Sequence, residues 1–108
     1  MDDLNKDRLV QRLILNLLDI HLLRIIRKKP LWGYKIKKNI EDAFNIKIRH
    51  SILYPTLNDL EKNGFLQSQK QTESGRARKV YTITEKGIKY IDRYYTVLDD
   101  QIKQRDLT

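Results

Sequence analysis

At 108 residues with 40% hydrophobic content, the chain can bury one small core but lacks the material for separate catalytic and binding domains. It contains no cysteine, which excludes a disulfide framework and cysteine-ligated metals and fits a reducing cytoplasm. A formal charge of +8 points to a polyanionic partner or an anionic membrane. The excess is central: nine Lys or Arg lie between residues 24 and 49 against Glu41 and Asp42, whereas both ends of the chain are balanced.

In chain order, residues 4–18 read as a helix with Leu9, Leu13 and Leu17 on one face and Val10, Ile14 and Leu18 beside it, so two adjacent faces want cover. Asp19 is the expected cap of a following helix built on Ile20, Leu22, Leu23 and Ile26, which Pro30 ends at or before Lys29. Whether residues 4–29 form one bent helix or two stays open. The apolar stretch from Leu13 to Ile26 is interrupted by Asn16, Asp19, His21 and Arg24, too short and polar for a membrane span and without a signal-peptide pattern.

Leu31-Trp32-Gly33 makes a short connection. Tyr34, Ile36, Ile40, Ala43 and Phe44 then give the next helix a mostly one-sided apolar face, with Lys35, Lys37 and Lys38 on its polar side. Asn45 is its expected terminator, and Ile46, Lys47 and Ile48 alternate briefly. The following stretch, residues 51–65, organises the chain: Leu53, Leu57 and Leu60 fall on one helical face, widened by Ile52 and Tyr54. Ser51 is the natural cap, and Pro55 favours a first helical residue near Ile52 or Leu53, where a proline loses no intrahelical bond. Gly64 suits a left-handed helix end.

From Leu66 the period changes to two extended arms around Glu73-Ser74-Gly75, with Val80, Tyr81, Thr82 and Ile83 as strand formers. A hairpin with a basic tip follows, or else a solvated loop with incidental charge. Extended pairing places Arg76 and Arg78 on one strand face. Thr84-Glu85 opens a last helix in which Ile88, Ile91, Tyr95, Leu98 and Ile102 are spaced 3, 4, 3, 4, as in a coiled-coil seam. Docking on the chain's own core is the alternative use of that face. The surplus apolar surface of the first segment favours a homodimer through the terminal helices.

His21 and His50 have no metal-ligand spacing, and Gly33, Gly64, Gly75 and Gly87 are separated boundary marks that make no phosphate loop. No enzyme, metal site or cofactor is expected. Helix, turn, helix, basic hairpin, helix is an economical DNA reader whose second helix fits the roughly 12 Å major groove. Base contacts are expected from Ser51, Thr56, Asn58 and Asp59, with His50 near the helix start. Lys35, Lys38, Lys47 and Arg49 suit phosphate, and Lys70, Arg76, Arg78 and Lys79 belong to the wing. Tyr54 divides between core packing and a phosphate contact through its hydroxyl. A helical protein-binding or membrane-associated adaptor is the reading from another class, and would show little duplex affinity even at low salt.

Three ordered stretches then carry a family resemblance: Leu31-Trp32-Gly33-Tyr34-Lys35-Ile36, the run from Leu53 to Leu66, and the run from Arg78 to Gly87. They resemble the signatures of the PadR family of winged-helix transcriptional regulators, over about residues 19 to 95. The resemblance implies an α+β, mostly helical fold: a winged helix-turn-helix over 19–84, an N-terminal helix over 1–18 contributing to core or dimer, and a C-terminal dimerisation helix over 85–108. It implies that Gly33-Tyr34 opens the second core helix, that Leu53-Tyr54-Pro55 opens the recognition helix, and that Tyr81, Thr84 and Gly87 join wing to dimerising helix. Members are usually homodimeric repressors of bacteria or archaea, some relieved by small molecules. The implied partners are therefore double-stranded DNA, a second copy and an unidentified small-molecule effector. Arg49 departs from the family's small capping residue, and the short segment after the wing resembles compact members. The MarR family is the nearest alternative of the same class. Trp32 reads as a packing aromatic or as part of an interhelical pocket.

Overall fold

The computed structural model describes residues 5–104. Leu4 and residues 105–108, assigned above to the first and last helices, lie outside them. The elements are α1 (Lys6–Asn16), α2 (Leu18–Lys28), β1 (Leu31–Trp32), α3 (Gly33–Phe44), α4 (His50–Lys62), β2 (Leu66–Glu73), β3 (Arg76–Ile83) and α5 (Glu85–Lys103). The three strands form an antiparallel sheet in the order β1-β3-β2. Five helices and this small sheet make a mostly helical α+β fold, as expected.

The first two helices are distinct. Leu17, with φ −114° and ψ 30°, ends α1 and precedes α2, so the ladder breaks at one residue and the segment is not one bent helix. Asp19 is not the cap of α2 but its second residue, with its carboxylate accepting the Ile20 amide at 2.8 Å. Ile14 and Leu18 are buried, while Leu9 and Leu13 remain 43% and 59% exposed. Of the two adjacent faces, the chain itself covers one.

Helix α2 is the centre of the domain, packing against α1, α3, α4, α5 and β3. Leu22, Leu23 and Ile26 meet Ile36 and Ile40 from α3, Leu53, Leu57 and Leu60 from α4, Leu31, Leu66 and Tyr81 from the sheet, and Ile91 from α5. The predicted leucine face of α4 is thus core. On α3, Ile36 and Ile40 are buried and Phe44 half-buried, but Tyr34 and Ala43 are exposed, so the apolar face is narrower than its sequence pattern.

Asn45 ends α3 in the left-handed conformation (φ 54°, ψ 50°), a state its short polar side chain tolerates. Ile46 and Ile48 are then buried around exposed Lys47. The Glu41 carboxylate accepts the Ile48 amide at 2.8 Å and an ion pair from Lys37 at 3.1 Å, holding this turn extended up to Arg49. In consequence α4 starts at His50, earlier than the expected Ile52 or Leu53 and with Arg49 rather than Ser51 at the cap. Pro55 therefore falls beyond the first turn, and the carbonyl deprived of its N–H partner belongs to exposed Ser51, where water can reach it.

The far end of α4 is joined to the start of α5. Gly64 (φ +84°) donates its amide to the Glu61 carbonyl and Phe65 donates to Leu60, the paired bonds of a Schellman end. Thr84 donates its hydroxyl to the Gly64 carbonyl at 2.7 Å, Lys86 donates to the Asn63 carbonyl, and the Gly87 amide donates back to the Thr84 hydroxyl. At Gly87 a Cβ would lie 2.3 Å from the Phe65 carbonyl oxygen and 2.7 Å from Ile83. Replacing Gly87 by Ala recovers about 1 kcal/mol of helix propensity, against an overpacking cost of about 1–3 kcal/mol or more with backbone as the obstacle. The expected net loss is about 2 kcal/mol, read in a thermal melt as a fall in Tm of about 10 °C. An unchanged Tm would mean that α5 can move off Phe65 at no cost.

Candidate nucleic-acid interface

Helix α4 carries two opposed stripes. Leu53, Leu57 and Leu60 point into the core, and Ser51, Pro55, Asn58 and Lys62, also spaced by four and three, are all exposed on the other side. Asp59 is exposed beside this outer stripe. Thr56 is half-buried on its flank, and its hydroxyl donates to the Ile52 carbonyl at 2.8 Å, which leaves it only acceptor capacity for a base. Sequence reasoning missed Lys62, although its position four residues after Asn58 was a sufficient signal.

At the start of α4, His50 stacks on Tyr54 with ring centroids 5.5 Å apart and planes 5° apart. Tyr54 packs against the core, and its ring lies over Gly33: a Cβ there would meet Tyr54 Cε1 at 2.8 Å and its hydroxyl at 2.9 Å. The tyrosine is thus half-buried between two helices, with a packing role that the glycine makes room for. Lys35 and Lys38 on α3 and Lys47 and Arg49 before α4 are all exposed, so the lysines and arginine assigned to phosphate are available to solvent.

The wing is the predicted hairpin. Ser74 (φ 54°) and Gly75 (φ 78°) form its two-residue turn, both positive as the twist of paired strands requires. Eight residue pairs run from Leu66 opposite Ile83 to Glu73 opposite Arg76. The four expected wing cations divide by surroundings. Lys70 and Arg76 are exposed. Arg78 is half-buried, its guanidinium 3.9 Å from the centre of the Trp32 ring. Lys79 points to the other face of β3 and pairs with Glu61 of α4 at 3.1 Å, a contact that partly neutralises it.

Glu61 also accepts the Ser68 hydroxyl, so one carboxylate ties the recognition-helix candidate to both wing strands. The Ser68 bond foremost, aided by Lys79, holds the Glu61 carboxyl below the ordinary glutamate value; the Ile48 amide does the same for Glu41. Because the folded pKa lies below the unfolded one of about 4.3, each contribution is complete above that pH and is lost as pH falls through the folded value. Urea unfolding should show stability dropping from pH 6 to pH 3, and dropping less in Glu41→Gln. An equal acid loss in that variant would remove Glu41 from the account.

The seam on α5 splits. Ile91 is fully buried in the chain's own core and Ile88 is half-buried, so Ile91 cannot be a subunit contact as expected. Leu98 is half-buried, while Tyr95 and Ile102 are 43% and 68% exposed. The core ends before the helix does, and the latter part of α5 projects beyond it. A radius of gyration of 15.6 Å, above the roughly 13 Å of a compact chain of about this length, agrees with that projection.

The sequence pattern of the transcriptional regulator PadR-like family matches residues 22–93. The chain belongs to this family. The PadR-like match runs from within α2 to the first half of α5, takes in α3, α4 and the wing, and decides against the MarR alternative. No curated protein sequence matches the chain. Among solved structures, a Streptococcus mutans UA159 protein is similar at 34% identity and TM-score 0.68, over 82% of this chain and 84% of that one. A transcriptional regulator from Clostridium thermocellum matches at 28% identity and TM-score 0.73, over 88% of this chain and 98% of that one. Bacillus subtilis PadR, solved in complex with operator DNA, matches at 26% identity and TM-score 0.68, over 73% of this chain and 45% of that one. The PadR-like chain is a DNA-binding transcriptional regulator with the winged-helix fold. Among its described residues no helix is long and apolar enough to cross a membrane.

Proposed function

We propose that the chain acts in the cytoplasm as a homodimeric repressor that reads an inverted-repeat operator without catalysis. The observation that carries this reading is the outer stripe of α4: Ser51, Asn58 and Lys62 face solvent while the leucine stripe behind them is fixed in the core, next to a basic wing. A helix so held can enter a major groove as a rigid unit, with short polar side chains toward base edges. The similarity to Bacillus subtilis PadR, whose structure holds operator DNA, supports it. In this reading Ser51, Asn58 and Asp59, with His50 and Thr56 at the margins, face bases. Lys35, Lys38, Lys47 and Arg49 neutralise phosphates, as do Arg76, Arg78 and Lys70 of the wing.

A salt series with duplex DNA tests it. Binding should weaken steeply as salt rises, and replacing Arg76 and Arg78 by Ala should weaken specific and nonspecific binding together, lowering the slope by about 0.9 for each phosphate that is no longer neutralised. An unchanged slope in a folded double variant would place both arginines away from phosphate. No duplex affinity even at low salt would return the chain to the adaptor reading.

A further inference from the structure

We propose that Trp32 is a positioning residue for DNA binding: its indole, braced by Tyr34, holds the Arg78 guanidinium on the outer face of the wing so that the arginine meets phosphate already ordered. The inference rests on the reading of the wing as a DNA contact and adds a residue to it.

Three observations place the parts. Trp32 is the last residue of β1 and the backbone cap of α3, opposite Val80 in the sheet register, so its backbone is held by strand and helix alike. Arg78, two residues before Val80, lies on the same face of β3 and reaches across to the indole, 3.9 Å from the ring centre. Tyr34 also stacks on Trp32, with centroids 5.1 Å apart and planes 23° apart, and is itself 53% exposed. Arg78 and Tyr34 thus both contact the indole outside the core, joining the base of the wing to the first turn of α3.

Stacking engages the flat face of a guanidinium, and the planar fork of its N–H donors is the geometry that suits a phosphate. It also removes rotamer freedom from a long side chain before the partner arrives, so less ordering is needed on binding. On the opposite face of β3, Lys79 is held by Glu61. Successive residues thus anchor one strand from both sides, Arg78 to the start of α3 and Lys79 to α4, and the wing is carried in a fixed relation to the helix-turn-helix.

The test uses the full chain and a short duplex at moderate salt, with Trp32→Ala, Arg78→Ala, their double variant and Trp32→Tyr. The contact predicts a loss of about two- to five-fold for Trp32→Ala, a loss at least as large for Arg78→Ala, a double variant no weaker than Arg78→Ala, and recovery in Trp32→Tyr. Losses that multiply in the double variant, or an unchanged affinity in a folded Trp32→Ala, overturn the proposal. Should Trp32→Ala fail to fold, Trp32→Tyr and the arginine variants still decide. Trp32 is the chain's single tryptophan, so Arg78→Ala in the free protein must shift its emission to the red and raise its quenching by acrylamide. An emission unaffected by Arg78→Ala removes the stack, whatever the DNA results. Wild-type binding with no effect of Arg78→Ala overturns this inference and leaves the DNA reading intact, whereas no binding by the wild type overturns both.

Discussion

The unmodified chain is expected to sediment as a dimer and a chain carrying Leu13→Asp and Ile102→Asp as a monomer, with a loss of about 10²-fold or more of its affinity for a duplex bearing two half-sites. Both residues are exposed, at 59% and 68%, so a charge at either position costs the isolated fold little. In a subunit interface the same charge must shed water without a partner. Leu98 is a poorer choice because it is half-buried, and Ile91 is unusable because it is core. The loss arises because linked half-site contacts reinforce each other through effective concentration, a gain that separate monomers forgo. Binding to one half-site should persist, since the local winged-helix surface is untouched. Analytical ultracentrifugation with a labelled duplex reads both quantities. A wild-type chain that is monomeric at binding concentrations, with one copy per full site, would reject the dimeric reader while leaving the recognition helix in place.

Asn58→Ala is expected to change the ranking of duplexes more than their average affinity. An exposed amide on the outer stripe can pair with both N6 and N7 of adenine, worth about 1–3 kcal/mol of discrimination against the wrong base. Lys38→Ala should do the reverse, weakening all duplexes alike, because phosphate attraction carries no sequence information. A competition panel of operator variants measures the two effects side by side. An identical ranking for wild type and a folded Asn58→Ala would take this residue off the base edges.

What was legible in the chain follows from periodicity and turn chemistry, both local. The leucine stripe of α4, the left-handed ends at Asn45 and Gly64 and the Ser74-Gly75 turn all depend on residues within a few positions of one another. Misplaced features depended on distant partners. Helix α4 starts early because Glu41, seven residues before Ile48, holds the preceding turn extended. Lys79 is tied to α4 because Glu61 meets it across the wing. The heptad-like pattern of α5 divides along its length. Ile91 packs on the chain's own core, while Tyr95 and Ile102 extend beyond it, and spacing alone does not tell a core neighbour from a second subunit. Trp32 showed the same ambiguity, since nothing local to Leu31-Trp32-Gly33 reveals that Arg78 arrives over its ring.

Selection of binding sites by the full chain from a library of randomised duplexes tests the central claim most directly. A dimer that presents two α4 helices should enrich an inverted repeat whose half-site centres lie about one helical turn, roughly 34–36 Å, apart. Recovery of no preferred sequence, together with no retention of duplex at low salt, would contradict it.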